Sequence, residues 1–453
     1  MSQGLTRSLG EFVSKLRVEA IPSEALDWVH TGFADCVGTL IAGSVEEAPA
    51  IVHKTLAPPP GEASLYLVGP RVAAPEAAWI NGTAAHALDF DDVALRGHPS
   101  AVLVPAILAE AETLRATGAQ MAAAYVAGYE TWAELEWREP QQLHEKGWHP
   151  TGVYGAVGAA AACAFLRGLD AERATYAIAL GASQSAGLMA NFGTMTKPFH
   201  AGRSAHAGVM AARLAAAGLT ASPDALEHPQ GFLSAVSPTG KVDRASPATA
   251  GREWRILRQG LSVKKYPLCY CTHRALDGVL DLLAEQPVSA RDVKSIRVST
   301  SRRNTKVLRN DRPQTGLEAK FSMQFAMASA IVARRAGLDE LTDAFVQRPE
   351  VQALLPKVTV EPDDRPDPKR SGAAPWDLVV IETNDGRRLE SRRITEERGS
   401  PELPLTREEL WAKFERCLAV GNPRLDARAV FDALMSIERQ RDARAFARLK
   451  AAA

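Results

Sequence analysis

Residues 150–166 read PTGVYGAVGAAAACAFL and contain no charged side chain. A second run of small and apolar residues, YAIALGASQSAGLM, occupies positions 176–189. Helices that are apolar on every face are buried, and small side chains let their backbones approach closely. The two runs therefore predict a large helical domain, with these segments at its centre or at a subunit interface.

The composition changes along the chain. From Ser23 to about Ala217 the sequence has helical patterns separated by Gly, Pro and Asn. After Pro267, VKSIRVST at 293–300 alternates apolar and polar side chains as a half-buried strand does, and LPKVTVEP at 355–362 predicts another. The segment 376–394 carries a hairpin signature, with a turn at Asn384-Asp385-Gly386.

These patterns predict a mainly α protein with two domains. We expect a large all-helical domain from residues 1–266 together with 401–453, because helical patterns resume after Pro401. A smaller α+β domain should occupy 267–400. A capping box of Thr406 and Glu409 should open the helix that follows.

Charge and composition exclude several classes of partner. The chain has 453 residues, with Lys plus Arg and Asp plus Glu both at 53. No block of like charge indicates a nucleic-acid surface, and no apolar run reaches the roughly 20 residues of a bilayer span. Five scattered cysteines without a CxxC pair indicate reduced thiols. We expect a cytoplasmic protein that binds neither nucleic acid nor membrane.

Three long apolar runs each begin after a basic residue and a proline: His98-Pro99, His149-Pro150 and Lys197-Pro198. Proline suits the first turn of a helix, so each preceding residue is predicted at an N-cap. Helix N-termini attract carboxylates and phosphates and disfavour protonation of a nearby His or Lys. The pattern predicts an anion site with a neutral histidine or a poised lysine that transfers protons near neutral pH. His228-Pro229 lacks such a run and is not expected to act.

The segment NGTAAHALDFDDVALRGHPS, residues 81–100, adds acidic groups. If residues 83–91 form a helix, His86 and Asp89 share a face, while Asp91 and Asp92 point elsewhere. Asp89 could then orient a histidine or accept a proton. Lys197 and His200 flank the opening turn of a later helix and could both face a bound carboxylate.

The chain resembles the MmgE/PrpD family, which includes 2-methylcitrate dehydratase, cis-aconitate decarboxylase and iminodisuccinate epimerase. The resemblance covers about Gly10 to Arg439. It rests on the joint occurrence of these motifs: DFDD with GHPS at 89–100, GWHP at 147–150, TKPFHAG at 196–202, KKYP at 264–267, TGLEAKFSMQFAMA at 315–328 and GSPELPLTREELWAKF at 399–414.

The resemblance implies a helical domain built from both chain ends, an α+β lid domain, a homodimer and an active site without cofactor or metal. Matched by motif, it implies the following catalytic residues: Asp89, His98, His149, Lys197 and Lys264. Arg96, His200 and His273 are predicted to bind substrate. The decarboxylase pattern has a threonine after DFDD and a tyrosine in its SFQY-like stretch, where this chain has Val93 and Phe325. This difference disfavours decarboxylation of cis-aconitate.

The predicted function is a cofactor-independent, dehydratase-type lyase that moves a proton next to a carboxylate of a small di- or tricarboxylic acid. Epimerisation of an iminodisuccinate-like dicarboxylate is the first alternative. A metal-dependent hydrolase using Asp89, Asp92 and His98 is the second. DFDD also matches the acid motif of class II terpene cyclases, but only 6% of residues are aromatic, too few for a carbocation cage. A non-catalytic helical scaffold is the last alternative.

Overall fold

The computed structural model describes residues 4–368 and 373–448. The chain divides into two compact units. The first unit runs to Ser262 and resumes at Thr406, and the second is Val263–Leu405. Within the described residues, no helix combines the length and apolar character needed to cross a bilayer.

The first unit is helical, as the sequence predicts. Its helices before the second unit are α1 Leu5–Lys15, α2 Ser23–Gly43, α3 Glu47–Leu56, α4 Ala74–Ala87, α5 Pro99–Leu114, α6 Gly118–Arg138, α7 Pro150–Leu166, α8 Ala171–Ser183, α9 Thr196–Ala216, α10 Phe232–Val236 and α11 Arg255–Gln259.

The small-residue helices form the centre of this unit. Nearly every residue of α7 is buried. A Cβ atom added to Gly202 of α9 would collide with the backbone of Trp79 in α4, and one added to Gly208 would collide with Ala159 in α7. The glycines therefore permit the close helix contacts that bring the starts of α5, α7 and α9 into one region.

One feature of the first unit differs from the all-helical prediction. A short antiparallel pair, β1 Pro60–Ser64 and β2 Arg71–Val72, lies between α3 and α4. The buried carboxylate of Glu112 accepts a hydrogen bond from the backbone N–H of Ser64, which attaches this hairpin to α5. Two strands this short give a weak alternation pattern, so helical periodicity on either side conceals them.

The second unit is the predicted α+β domain. Its helices are α12 His273–Glu285, α13 Arg302–Val307, α14 Gly316–Ala319, α15 Met323–Ala333, α16 Asp343–Val346 and α17 Pro349–Leu354, and its strands are β3 Val293–Ser301, β4 Val358–Asp363, β5 Leu378–Thr383 and β6 Arg388–Glu390. The sheet has the order β4-β3-β5-β6, in which only β3 and β4 are parallel. The predicted hairpin joins β5 to β6, with Gly386 at a φ of 87°.

The chain then returns to the first unit through α18 Arg407–Gly421 and α19 Ala427–Leu434. The predicted capping box is present: Thr406 Oγ1 accepts from the N–H of Glu409, and the Glu409 carboxylate accepts from the N–H of Thr406. Helix α18 packs against α2. Both ends of the described chain therefore contribute to the helical unit.

Candidate active site

The loop between α4 and α5, residues 88–98, shapes the site. Helix α4 ends at Ala87, and Asp89 takes a left-handed conformation with a φ of 51°. Aspartate is one of the few residues besides glycine that tolerate this region. The helix that was expected to continue to Asp91 therefore ends at Ala87. The prediction that His86 and Asp89 share a helical face is wrong.

Asp91, and not Asp89 as predicted, is the carboxylate that contacts His86. Its side chain is fully buried, and Oδ1 lies 2.8 Å from Nδ1 of His86. Its Oδ2 lies 3.0 Å from Nδ1 of His98. The reversal at Asp89 turns the chain back so that one carboxylate contacts both imidazoles.

Asp89 faces Lys197. The Lys197 ammonium donates to Oδ1 of Asp89 across 2.5 Å, and both side chains are at least nine-tenths buried. The same Oδ1 lies 3.9 Å from Nε2 of His98. Lys197 also lies over the ring of Phe192, 5.4 Å from its centre. This ion pair connects the start of α9 to the loop before α5.

His149 and His200 extend the cluster along its other side. Their Nδ1 atoms are 3.1 Å apart, so one ring donates and the other accepts. The His149 ring lies 5.9 Å from that of His86 and meets Phe192 edge-on at 4.9 Å. The first unit therefore brings together five of the predicted residues: Asp89, His98, His149, Lys197 and His200.

Three histidines of the cluster, His86, His149 and His200, are held neutral. Burial lowers the pKa of His86 to about 3 and that of His200 to about 4, and the positive charge of Lys197 acts in the same direction. Burial also lowers the pKa of His149 well below its usual value. Burial opposes ionisation of Asp91, but His86 and His98 keep the pKa of its carboxyl well below the ordinary value. At neutral pH the site thus combines uncharged imidazoles with ionised Asp91.

Two of the three predicted N-caps are confirmed. His98 is the N-cap of α5 and His149 is the N-cap of α7, each followed by proline at the first helical position. Lys197 is not an N-cap, because α9 begins one residue earlier and its N-cap is Met195. Pro198 is the third residue of α9. A backbone N–H at this position would have no partner within the helix, so proline is tolerated there.

The other predicted residues have different surroundings. The Arg96 guanidinium pairs with Glu136 at 2.7 Å and donates to the backbone carbonyls of Glu139 and Gln141. In the second unit Lys264 is buried, and Nε2 of His273 lies 3.2 Å from the carbonyl oxygen of Leu268. Roles for Arg96, Lys264 and His273 in substrate binding or catalysis stay predictions.

Buried polar side chains form a layer beside the loop of residues 88–98. Ser100 donates to Asp92 at 2.8 Å, and the Tyr125 hydroxyl lies 2.7 Å from that of Ser100. Burial raises the pKa of Asp92 well above its ordinary value, and the negative charges of Asp35 and Asp91 raise it further. The buried carboxyl of Asp92 is therefore harder to ionise than an exposed one, which fits a structural role.

Lys413 of α18 supplies the cation of this layer. Its ammonium lies 2.5 Å from Asp35 of α2 and donates to the carbonyl of Phe90 at 2.7 Å. It also lies 4.0 Å from the centre of the Phe90 ring. No local sequence pattern identifies this contact, because Phe90 and Lys413 are 323 positions apart.

Four buried residues could also hold a metal ion: His86, Asp89, Asp91 and His98 offer ligand atoms within 4.8 Å of one another. Lys197 already neutralises Asp89, and Asp91 accepts from both imidazoles. A metal would have to displace the lysine and use the Nε2 atoms. The absence of a metal from this site therefore stays a prediction.

Comparison with known proteins identifies the family. Residues 7–245 match the MmgE/PrpD N-terminal domain, and residues 266–435 match the MmgE/PrpD C-terminal domain. The chain belongs to the MmgE/PrpD family, as its motifs indicate. It is an enzyme of the lyase class.

Its curated relatives include cis-aconitate decarboxylases. The human enzyme is 29% identical over 75% of this chain and 71% of its own length. The Aspergillus terreus enzyme is 24% identical over 97% of this chain and 94% of its own length. A cis-aconitate decarboxylase-like protein of Aspergillus oryzae, oryM, is 25% identical over 91% of this chain and 90% of its own length.

Proposed function

We propose that this protein is a cofactor-independent lyase that moves a proton next to a carboxylate of a small di- or tricarboxylic acid. The observation that carries the proposal is the buried Lys197–Asp89 ion pair, which lies beside the imidazole of His98 and near the neutral imidazole of His149. His98, His149 and Lys197 lie at the starts of three long helices, whose N–H groups and dipoles favour a carboxylate ligand.

The chemistry requires these groups. Removing a proton beside a carboxylate develops negative charge, which fixed donors and cations must stabilise. We assign the proton transfer to Lys197 or a neighbouring histidine, with Asp89 orienting the ammonium. His98, His149 and Lys264 bind substrate carboxylates, with Arg96, His200 and His273 as further substrate contacts.

Dehydration is the first candidate reaction. The activity of the relatives makes cis-aconitate the first acid to test. However, this chain has Val93 and Phe325 in place of the threonine and the tyrosine of the decarboxylase pattern. Phe325 is fully buried in the core of the second unit and packs edge-on against Phe345 at 6.2 Å. A hydroxylated tricarboxylate such as 2-methylcitrate is therefore the second acid.

The test is proton NMR in deuterated water with cis-aconitate, 2-methylcitrate and an amino- or hydroxy-dicarboxylate. Loss of water creates a double bond, decarboxylation releases carbon dioxide, and epimerisation exchanges deuterium without either change. We expect dehydration with at least one acid. The absence of exchange or turnover with every acid would contradict the proposal.

Variants test the assigned residues. Lys197→Ala and His149→Ala should each lower kcat by about 100-fold or more, the usual scale for a lost proton-transfer group. His228→Ala is the matched control, because His228 also precedes a proline but lies in an exposed turn. Near-normal turnover in both site variants would reject the assignment.

Metal-dependent hydrolysis is the second candidate, favoured by the cluster of His86, Asp89, Asp91 and His98. Elemental analysis and turnover after chelation distinguish the two. The lyase proposal requires activity that survives chelation, whereas a stoichiometric metal whose removal abolishes turnover would favour the hydrolase.

A further inference from the structure

We propose that Asp91 is a positioning residue that fixes two imidazoles, those of His86 and His98, in one tautomer and aims both Nε2 atoms toward the reacting region. The assignment rests on the proposed function for its catalytic consequence. Its structural part can be measured without any substrate.

The hydrogen on His98 follows from its partners. Nδ1 lies 3.0 Å from the carbonyl oxygen of Asp92 and 3.0 Å from Oδ2 of Asp91. A carbonyl oxygen can only accept a hydrogen bond, so Nδ1 must carry the hydrogen. In the neutral ring, Nε2 then has the lone pair, and it lies 3.9 Å from Oδ1 of Asp89. His98 can therefore donate to a substrate carboxylate through Nε2 only after that atom has taken a proton.

The same reasoning applies to His86. Its Nδ1 faces both oxygens of Asp91, at 2.8 and 3.0 Å, and an ionised carboxylate only accepts. Its Nε2 is buried and has no hydrogen-bond partner among the described residues. The two rings are 4.3 Å apart between centres, so they belong to one cluster.

A carboxylate that accepts a hydrogen bond from the Nδ1–H group of an imidazole affects both the ring's position and its charge. It holds the ring in one orientation and tautomer and stabilises the positive charge that develops when Nε2 takes a proton. Here one buried carboxylate acts on two rings at once. Besides Asp91, the charged and titratable groups near these rings are Asp89, Lys197 and His149.

The substitution Asp91→Asn tests this directly. The amide can accept from one ring but must donate to the other, so one histidine has to move its hydrogen to Nε2. The carbonyl of Asp92 holds the His98 hydrogen on Nδ1, and we therefore expect His86 to change tautomer. NMR of protein labelled with ¹⁵N-histidine, assigned with His86→Gln and His98→Gln, reports this change.

Kinetics supply the second measurement. We expect Asp91→Asn to lower kcat by about 100-fold or more, with KM changed only a few-fold, since the wrong tautomer removes a proton acceptor without removing a substrate contact. Loss of the negative charge should also move the acidic limb of the kcat/KM profile to lower pH. Asp377→Asn is the control, because Asp377 is equally buried but lies in the second unit.

The outcomes separate this inference from the proposed function. Wild-type protein with a hydrogen on Nε2 of either His86 or His98 would overturn it, even if Asp91→Asn fails to fold. Wild-type-like kcat in Asp91→Asn would also overturn it. If both wild-type tautomers are as expected but no polycarboxylate reacts, the proposed function fails and the positioning of the two rings by Asp91 is supported.

Discussion

His206 lies on α9 outside the catalytic cluster but is held neutral in the same manner as the histidines within it. Its Nδ1 accepts a hydrogen bond from the Arg203 guanidinium at 3.1 Å, and its ring lies 4.9 Å from that of Trp79. Burial lowers the pKa of His206 to about 4, and the charge of Arg203 contributes in the same direction.

This neutrality links stability to pH. Between about pH 6.5 and pH 4 the unfolded chain binds a proton at His206 that the folded protein does not. The contribution of the neutral ring to stability is thus present above pH 6.5 and is lost as the pH falls toward 4. We expect His206→Gln to gain stability relative to the wild type over this range, as measured by urea unfolding at several pH values. Parallel stability curves for the two proteins would contradict this linkage.

At the scale of elements, the contact between α4 and α9 depends on Gly202. A methyl group there would overlap the carbonyl oxygen of Trp79, which belongs to the backbone and cannot rotate away. We expect Gly202→Ala to reduce the free energy of unfolding by about 1–3 kcal/mol, the usual cost of overpacking. Chemical denaturation measures the change.

Gly38→Ala is the matched control. An added Cβ atom in α2 would lie 3.1 Å from a ring carbon of Phe414, a side chain that can adjust. The higher helix propensity of alanine offsets this crowding, so we expect a change within about 1 kcal/mol. Equal losses in both variants would show that the close α4–α9 approach has no special importance.

The elements themselves were largely predictable, and the site was predictable in part. Proline after His98 and His149 marks helix starts because its geometry is local. The role of Asp91 could not be read from the sequence, since it depends on α4 ending at Ala87 and on the left-handed turn at Asp89. Tertiary contacts decide where such a helix ends, and a local pattern does not contain them.

At the scale of the whole molecule, Lys413 connects the end of the chain to the loop that carries the site. Its partner Asp35 is fully buried. Removing one member of a buried ion pair leaves the other charge uncompensated, so Lys413→Met should cost about 3–5 kcal/mol. Thermal and chemical unfolding measure this loss, which should be accompanied by reduced turnover.

Arg407→Gln on the same helix is the control. Arg407 pairs with Asp432 at 3.3 Å, and both side chains are more than half exposed. Exposed pairs contribute about 0–1 kcal/mol, so little change is expected. Similar losses for Lys413→Met and Arg407→Gln would show that the buried pair does not anchor the loop.

The Lys413 contact has a consequence for synthesis on the ribosome. The nascent chain presents Asp35 and Phe90 more than 300 residues before Lys413 emerges. At about 5–20 residues per second, this delay lasts many seconds. During that interval Asp35 lacks its counter-charge and the Phe90 carbonyl lacks its donor, so both contacts form only after residue 413 has been synthesised.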